Sequence, residues 1–176
     1  MNNEILLKNL RNVPDFPIPG IQFKDVSTLF KNAECLSVIV NELYELYKDK
    51  GITKIVGLES RGFVVGAALA LKLGAGFVMC RKPGKLPAET LSETFLKEYG
   101  EDVLHIHTDA IDESDVVLIH DDLLATGGSM KAAYNLVQQF HPKNTYINVI
   151  IELTIEGLHG RDVFNKDVDI TTLIKI

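Results

Sequence analysis

The feature that most constrains this chain is the stretch of residues 116–130, where an apolar run passes into two acids and then into small residues. Residues 116–119 are consecutive valine, leucine and isoleucine side chains, a pattern typical of a strand that is buried on both faces. Asp121 and Asp122 follow, and we expect them at the tip of that strand. From Met130, apolar side chains recur at the spacing of a helix face. The stretch therefore predicts a strand, an acidic tip, a small-residue loop and a helix, in that order.

The composition of the loop favours an anion site. It consists of Ala125, Thr126, Gly127, Gly128 and Ser129. Glycines let the backbone approach a ligand closely, and the N–H groups at the start of a helix favour a negative charge. The two preceding carboxylates can accept hydrogen bonds from a sugar diol or help to hold Mg²⁺. A phosphate, a diol and Mg²⁺ together suggest a phosphorylated ribose as the ligand. The alternative is a surface turn whose aspartates cap the next helix.

A second strand–tip–helix unit lies earlier in the chain. Residues 52–58 are predicted to form a strand and residues 63–73 an apolar helix, with Ser60, Arg61 and Gly62 between them. Open α/β sheets bind ligands at the carboxyl ends of their strands, and the glycine spacing does not match a dinucleotide fingerprint. These residues are therefore either part of a ligand site or an ordinary salt bridge at a helix start.

A basic loop follows the next predicted strand, residues 77–80. Arg81, Lys82 and Lys85 supply three cations within five residues of a chain whose formal net charge is −6. Charge runs are usually solvated surface. Because this one follows a strand and contains a proline and a glycine that restrict its shape, we interpret it as an anion site.

Size and composition narrow the class of protein. The 176 residues suit one domain, 1–176, with a sizeable core, and the acidic balance argues against nucleic-acid binding. There is neither an apolar run of about 18 residues nor a secretory signal, so we expect no membrane span. Cys35 and Cys80 make neither a disulfide framework nor a metal set. We expect reduced core cysteines and a cytoplasmic protein.

The remaining segments complete a predicted α/β fold. Helical spacing predicts a helix over residues 4–12, and prolines exclude helix across 13–20. Asn32 is a good N-cap for the next helix, and strands are expected at 146–153 and 170–174, the last at an edge. Alternating strands and helices predict a doubly wound, mainly parallel sheet flanked by helices.

The segment after the basic loop is polar and weakly patterned. Residues 88–102, which include Glu98, form the kind of long uneven stretch that is usually a lid or disordered. A lid that excludes water suits chemistry on a reactive sugar cation. His105 and His107 share one face of an alternating strand. Without a third suitably spaced ligand, we expect an exposed face rather than a metal site.

Several of these motifs resemble the type I phosphoribosyltransferase family. Asp-Asp-Leu-Leu-Ala-Thr-Gly-Gly, residues 121–128, resembles the signature with which that family binds phosphoribosyl diphosphate. Residues 14–20 with Phe23-Lys24-Asp25, and Arg-Lys-Pro-Gly-Lys-Leu-Pro at 81–87, are similar to motifs of the members that act on adenine. The resemblance implies a purine salvage enzyme that transfers the phosphoribosyl group from phosphoribosyl diphosphate to adenine. The products would be AMP and pyrophosphate, the cofactor Mg²⁺ and the assembly a homodimer.

The resemblance also implies roles for segments and residues. Residues 1–30 would contain a hood over the base, with Gln22, Phe23 and Lys24 at the base pocket, and 86–106 would be a flexible lid loop. The pyrophosphate would lie against Ser60, Arg61, Gly62, Arg81, Lys82 and Lys85. The 5′-phosphate would lie at Ala125, Thr126, Gly127, Gly128 and Ser129. The implied catalytic residues are Glu98, Asp121, Asp122 and Arg61.

Some of these implied roles are more specific. Glu98 would exchange a proton with a purine nitrogen, and Arg81 would reach a neighbouring subunit. Asp121 and Asp122 would hold the ribose hydroxyls and contribute to the metal site, if only indirectly.

Two other functional classes stay open. One is a phosphoribosyltransferase for hypoxanthine, guanine or xanthine, against which the hood motif argues. The other is a non-catalytic sensor that binds phosphoribosyl diphosphate, but such regulators usually carry an added nucleic-acid-binding region and none is evident. A receiver domain also has acids at strand tips, yet the Thr-Gly-Gly-Ser loop has no role there.

Overall fold

The computed structural model describes residues 3–96, 100–155 and 158–176. Within them the strands are β1 (Arg11–Pro14), β2 (Gln22–Asp25), β3 (Lys54–Leu58), β4 (Gly76–Cys80), β5 (Thr90–Leu96), β6 (Glu101–His107), β7 (Val116–Leu124), β8 (Asn144–Glu152) and β9 (Ile170–Lys175). The helices are α1 (Asn3–Asn9), α2 (Ser27–Phe30), α3 (Ala33–Tyr47), α4 (Gly62–Leu73) and α5 (Gly128–Gln138).

A five-stranded parallel sheet forms the centre of the fold, in the order β4–β3–β7–β8–β9. Successive residues of a strand face opposite sides, and both sides are buried. Leu118 packs in the cluster that includes α3 and α4, whereas Ile119 packs in the cluster that includes α5. The predicted doubly wound α/β fold and the edge position of β9 are confirmed.

The start of α3 and the state of the two cysteines agree with the sequence predictions. The Asn32 side chain accepts hydrogen bonds from the backbone N–H groups of Glu34 and Cys35, which confirms the predicted N-cap. Cys35 and Cys80 are both free and buried, as expected. No helix in the described part of the chain is long and apolar enough to cross a membrane.

The predicted helix over residues 4–12 is too long. α1 ends at Asn9, and residues from Arg11 form β1, which pairs antiparallel with β2. The backbone N–H of Arg11 donates to Thr28 Oγ1 at 3.1 Å, and the Arg11 guanidinium pairs with Asp25. These partners are distant in sequence, so helical spacing alone could not reveal the strand.

The prediction that β7 ends at the two acids is also wrong. β7 continues through Asp121 and Asp122 to Leu124, because β8 supplies a pairing partner as far as Leu124↔Glu152. α5 begins at Gly128, two residues before the predicted start. The acids are therefore held by a strand ladder, which fixes their positions more firmly than a loop would.

The segment predicted to be uneven is mostly an antiparallel hairpin of β5 and β6. Its flexibility stays a prediction, and Glu98 lies outside the described residues. His105 and His107 are half-buried rather than exposed, and His105 Nδ1 lies 3.0 Å from Thr90 Oγ1. Within the described ranges, no group of three or more His, Cys, Asp or Glu side chains could hold a metal ion.

Candidate active site

Parallel pairing brings the predicted site residues that follow β3 and β4, and the two acids of β7, to the same end of the central sheet. Leu58 pairs with Cys80, and Gly57 pairs with His120, so β3 and β4 end side by side, next to the point where β7 reaches Asp121 and Asp122. The tip that carries Arg61, the basic loop and the two acids therefore converge at this end, as expected for an open α/β sheet.

Asp122 and Arg61 form an ion pair at the centre of this end of the sheet. Arg61 Nε lies 2.9 Å from Asp122 Oδ2, and the Asp122 side chain is only 3% exposed. Asp122 Oδ2 nevertheless accepts no well-directed hydrogen bond among the described residues. A buried carboxylate oxygen without a directed donor can still accept a hydroxyl or a cation.

Asp121 lies in a different environment from Asp122. Burial, and after it repulsion from the neighbouring carboxylate, raises the pKa of Asp121 well above its ordinary value. The backbone N–H of Asp122 donates to Asp121 Oδ1 at 2.9 Å. A Cβ atom on Gly62 would lie 2.7 Å from the His120 carbonyl oxygen and 3.1 Å from Asp121 Oδ1. The glycine therefore lets the start of α4 approach β7 closely.

The loop of residues 125–129 turns sharply into α5. Gly127 has a φ of 86°, a conformation that favours glycine, and its carbonyl accepts the Lys131 N–H at 2.8 Å. The first N–H groups of α5 have no partner within the helix and can bind an anion. The predicted glycine-rich loop is therefore present before α5, and its binding of an anion stays a prediction.

A second segment supports this loop from behind, and sequence reasoning missed it. A Cβ atom on Gly127 would lie 2.4 Å from the Gly160 carbonyl oxygen, and one on Gly160 would lie 2.4 Å from the Ala125 carbonyl oxygen. The two backbones therefore touch. Gly160 lies in a stretch that carried no motif, so its glycine was the only available signal.

A cavity of about 390 Å³ lies between the N-terminal residues and the anion loop. Its volume suits a small ligand. Phe23 packs edge-to-face on Phe16 with centroids 5.1 Å apart, and the Arg61 guanidinium lies 5.5 Å from the Phe23 ring centroid. The lining residues are Pro17, Ile18, Ile21, Gln22, Phe23, Lys24, Arg61, Leu123, Ala125, Thr126, Leu153 and Leu158. The predicted base-pocket residues therefore share one mostly apolar cavity with Arg61 and part of the anion loop.

Polar side chains of β1 and β2 are tied to each other. Asn12 Nδ2 donates to Gln22 Oε1 at 2.6 Å, and Lys24 Nζ donates to Asn12 Oδ1 at 3.0 Å. These bonds link the polar ends of Gln22 and Lys24 through a residue of β1, and so brace the hairpin that borders the cavity.

Glu59 holds the basic loop, and sequence reasoning gave it no role. Its carboxylate accepts hydrogen bonds from Arg81 Nε and Nη2, both at 3.1 Å, and from the Lys82 backbone N–H at 3.0 Å. Arg81 Nη1 also donates to the Lys85 carbonyl at 3.2 Å, and Lys82 Nζ pairs with Asp102 at 3.0 Å. Arg81 is thus engaged within its own chain, and its reach to a neighbouring subunit stays a prediction.

His120 is a second feature for which the sequence offered no interpretation. It is fully buried, and burial lowers its pKa to about 4 although a hydrogen bond with Asn148 opposes the shift. His120 Nδ1 lies 3.0 Å from Asn148 Oδ1, and Asn148 Nδ2 donates to Thr171 Oγ1 at 2.9 Å. Thr171 Oγ1 lies 2.5 Å from the Tyr47 hydroxyl. A buried polar chain therefore joins β7, β8, β9 and α3 beside the acids.

Comparison with known proteins agrees with this geometry. The family model for the phosphoribosyl transferase domain matches residues 25–175. The adenine phosphoribosyltransferase of Phocaeicola vulgatus is 63% identical over the full length of both chains, and that of Bacteroides fragilis is 60% identical over 100% of this chain and 99% of its own.

Solved structures give the same result. The adenine phosphoribosyltransferase of Rhodothermus marinus has a TM-score of 0.91 at 45% identity and covers 98% of this chain and 97% of its own. The Giardia lamblia enzyme, in complex with 9-deazaadenine, has a TM-score of 0.92 at 39% identity and covers 100% and 98%. The chain therefore belongs to the phosphoribosyl transferase family and, within it, to the adenine phosphoribosyltransferases.

Proposed function

We propose that this protein transfers the 5-phosphoribosyl group from phosphoribosyl diphosphate to adenine, giving AMP and pyrophosphate in purine salvage. One observation supports this best: a single cavity is lined by the N-terminal hood residues, by Arg61, and by Ala125 and Thr126 of the anion loop. A flat base and a sugar phosphate can therefore bind next to each other. The full-length relatives named as adenine phosphoribosyltransferases support the choice of adenine.

We assign recognition of the base to the hood within residues 1–30. The Phe23 ring and the aliphatic side chains around it offer an apolar surface to a purine. The Asn12–Gln22–Lys24 hydrogen bonds keep β1 and β2 together. The backbone groups of Gln22, Phe23 and Lys24 can then read the edge of the base with fixed geometry.

The loop of residues 125–129 anchors the 5′-phosphate throughout the reaction. Its helix-start N–H groups and the hydroxyls of Thr126 and Ser129 are suitable donors for a phosphate. An anchor at this end fixes the ribose while the base and the pyrophosphate exchange at the other. Such positioning converts a meeting of two substrates into a reaction within one complex.

Departure of pyrophosphate is the chemically demanding step. The bond from sugar C1 to pyrophosphate weakens before the base attacks, so negative charge grows on the leaving group and positive charge on the ring. Preorganised charges that match this distribution lower the barrier. The groups that we assign to the leaving pyrophosphate are Ser60, Arg61, Gly62, Arg81, Lys82 and Lys85.

Asp121 and Asp122 face the positive side of the reaction. They hold the ribose hydroxyls and stabilise positive charge on the ring. Mg²⁺ usually binds through one or two carboxylates and substrate phosphates rather than in an all-protein cage. The pair fits this pattern, since Asp122 Oδ2 is buried without a directed donor in the described structure. When bound, Mg²⁺ would neutralise charge on the leaving pyrophosphate.

Other parts of the proposal depend on the resemblance more than on geometry. Glu98 exchanges a proton with the purine nitrogen, residues 1–30 form the hood, and 86–106 form a flexible lid loop. The protein acts in the cytoplasm, which two free buried cysteines support. It acts as a homodimer, for which exposed apolar side chains on α4 and on the edge strand β4, Val64, Leu71 and Met79, offer a surface.

The direct test is product formation. The protein is incubated with adenine, phosphoribosyl diphosphate and Mg²⁺, and AMP and pyrophosphate are quantified by chromatography and a coupled assay. The proposal predicts the two products in equal amounts. Tight binding of phosphoribosyl diphosphate without any AMP would instead favour the sensor class.

A further inference from the structure

We propose that Glu152 and Arg161 are positioning residues that hold the phosphate loop, residues 125–129, in its anion-binding shape without touching the substrate. We call this ion pair the clamp. The inference rests on the proposed function only in assigning the 5′-phosphate to that loop.

The clamp is a bidentate ion pair with a third bond. Arg161 Nε lies 2.9 Å from Glu152 Oε1, and Arg161 Nη2 lies 2.6 Å from Glu152 Oε2. Arg161 Nη1 also donates to the Ile170 carbonyl at 2.8 Å. Glu152 is 7% exposed, and such paired, charge-assisted bonds fix geometry as well as adding energy. Arg161 is therefore tied to the end of β8 and the start of β9 at once.

The residue next to Arg161 is the one that supports the phosphate loop. Gly160 meets Ala125 and Gly127 so closely that a Cβ atom on Gly160 or Gly127 would lie 2.4 Å from a carbonyl oxygen of the other segment. Any shift of Arg161 moves Gly160, and a shift of Gly160 either presses on the loop or leaves it unsupported.

The other end of the clamp is fixed to the strand that leads into the loop. Glu152 pairs with Leu124 across the parallel ladder, and the Leu153 N–H donates to the Leu124 carbonyl at 2.9 Å. Leu124 directly precedes the loop. The clamp thus joins the strand before the loop to the segment behind it, so both sides of the loop have a common anchor.

The clamp acts through geometry rather than through charge, because Glu152 neutralises Arg161. This distinction gives opposite expectations for one substitution. Glu152→Gln removes a negative charge, which by electrostatics alone would strengthen binding of a phosphate. If the pair positions the loop, the same substitution weakens binding, because the bidentate contact is lost.

The experiment measures the dissociation constant of ribose 5-phosphate by titration calorimetry, and the melting temperature of each protein. Glu152→Gln, Arg161→Gln and Arg161→Lys are compared with wild type. Lysine keeps the charge but cannot form the three-bond contact. Lys175→Met is the matched control. Lys175 Nζ lies 3.5 Å from Glu152 Oε2, the oxygen that Arg161 Nη2 also contacts, but Lys175 belongs to β9 rather than to the segment that touches the phosphate loop.

We expect each of the three clamp variants to bind ribose 5-phosphate roughly tenfold more weakly, and Lys175→Met to stay within about twofold. The double variant Glu152→Gln with Arg161→Gln should be no weaker than either single variant, because both break one contact. In steady-state kinetics, KM for phosphoribosyl diphosphate should rise more than kcat falls.

Three results would overturn the clamp. They are tighter binding by Glu152→Gln, full recovery by Arg161→Lys, or a lower melting temperature with an unchanged dissociation constant, which would mean a merely structural role. Wild-type protein that binds ribose 5-phosphate but makes no AMP would refute the proposed function instead. The dissociation constants of the variants would still decide the clamp in that case.

Discussion

Arg61 Nε lies 2.9 Å from Asp122 Oδ2, so a cation assigned to the pyrophosphate and a carboxylate assigned to the ribose neutralise each other across the site. Arg61 is 44% exposed on its side chain whereas Asp122 is almost fully buried. The carboxylate is therefore the fixed member of the pair, and the guanidinium is free to turn toward a pyrophosphate. Substrate binding has to share or break this contact.

Asp122→Asn should lower kcat by roughly 10²–10³-fold, because the amide cannot stabilise positive charge on the ribose. The fold should survive, since the substitution keeps the shape of the side chain. Turnover is measured by pyrophosphate release and folding by circular dichroism. Asp167→Asn, a change at an exposed residue away from the site, is the control. Near-normal turnover of Asp122→Asn would refute the role.

Asp121→Asn should be more stable than wild type at pH 7 but less active. The folded protein raises the pKa of Asp121. Its contribution to stability is therefore full below the ordinary pKa of 3.8 and is lost as pH rises through the higher, folded-state pKa. The neutral amide avoids that loss. Thermal melts should give a higher Tm for the variant at pH 7, by roughly 2–4 °C per kcal/mol, and no gain at pH 3.5. An unchanged Tm at pH 7 would contradict a raised pKa of Asp121 in the folded protein.

Buried His120 should make the fold sensitive to acid. Its pKa is lowered from 6.5 to about 4, so the unfolded chain binds the proton more readily than the folded one. Stability should fall as pH drops from about 6.5 toward 4, by about 3 kcal/mol from this residue. Urea unfolding at pH 7.5 and 4.5 measures the loss, which should be smaller in His120→Gln and unchanged in His141→Asn, a substitution at an exposed histidine. Equal acid losses in all three proteins would exclude His120 as the cause.

Gly127→Ala should cost more than Gly74→Ala, although both glycines have positive φ. Nothing lies within 4 Å of a Cβ atom built on Gly74, whereas one on Gly127 meets the Gly160 carbonyl at 2.4 Å. Gly74→Ala should lose about 1 kcal/mol of stability from backbone strain, with kinetics unchanged. Gly127→Ala should lose more and should raise KM for phosphoribosyl diphosphate at least tenfold. Similar kinetics for the two variants would show that the contact with Gly160 does not shape the loop.

Local patterns predicted the strands of the central sheet and the helices α3, α4 and α5 that flank it, because the causes of these elements are local. Asn32 caps α3 through N–H groups two and three residues away, and apolar runs such as residues 116–119 mark the buried strands. Pairing partners are not local. β1 forms because it pairs with β2, and β7 continues through Asp121 because β8 runs alongside. Neither the start of β1 nor the end of β7 could therefore be placed from the spacing of residues.

The same difference between local and distant causes explains which parts of the site could be predicted from the sequence. The motifs around Arg61 and Asp122 each followed a predicted strand, and parallel topology then required them to meet. The contacts that hold the site residues in place could not be predicted from the sequence. His120 meets Asn148 and Ala125 meets Gly160 only through the packing of distant segments, and no motif marked either contact.

The most direct test of the account is the choice of base. Pyrophosphate release is measured with Mg²⁺, phosphoribosyl diphosphate and, in turn, adenine, hypoxanthine, guanine and xanthine. We expect release with adenine. For the other bases we expect kcat/KM to be lower by at least two orders of magnitude, since a site built to pair with one hydrogen-bonding edge rejects a mismatched one. Equal or faster release with another base would contradict the adenine assignment while leaving the phosphate and pyrophosphate sites in place.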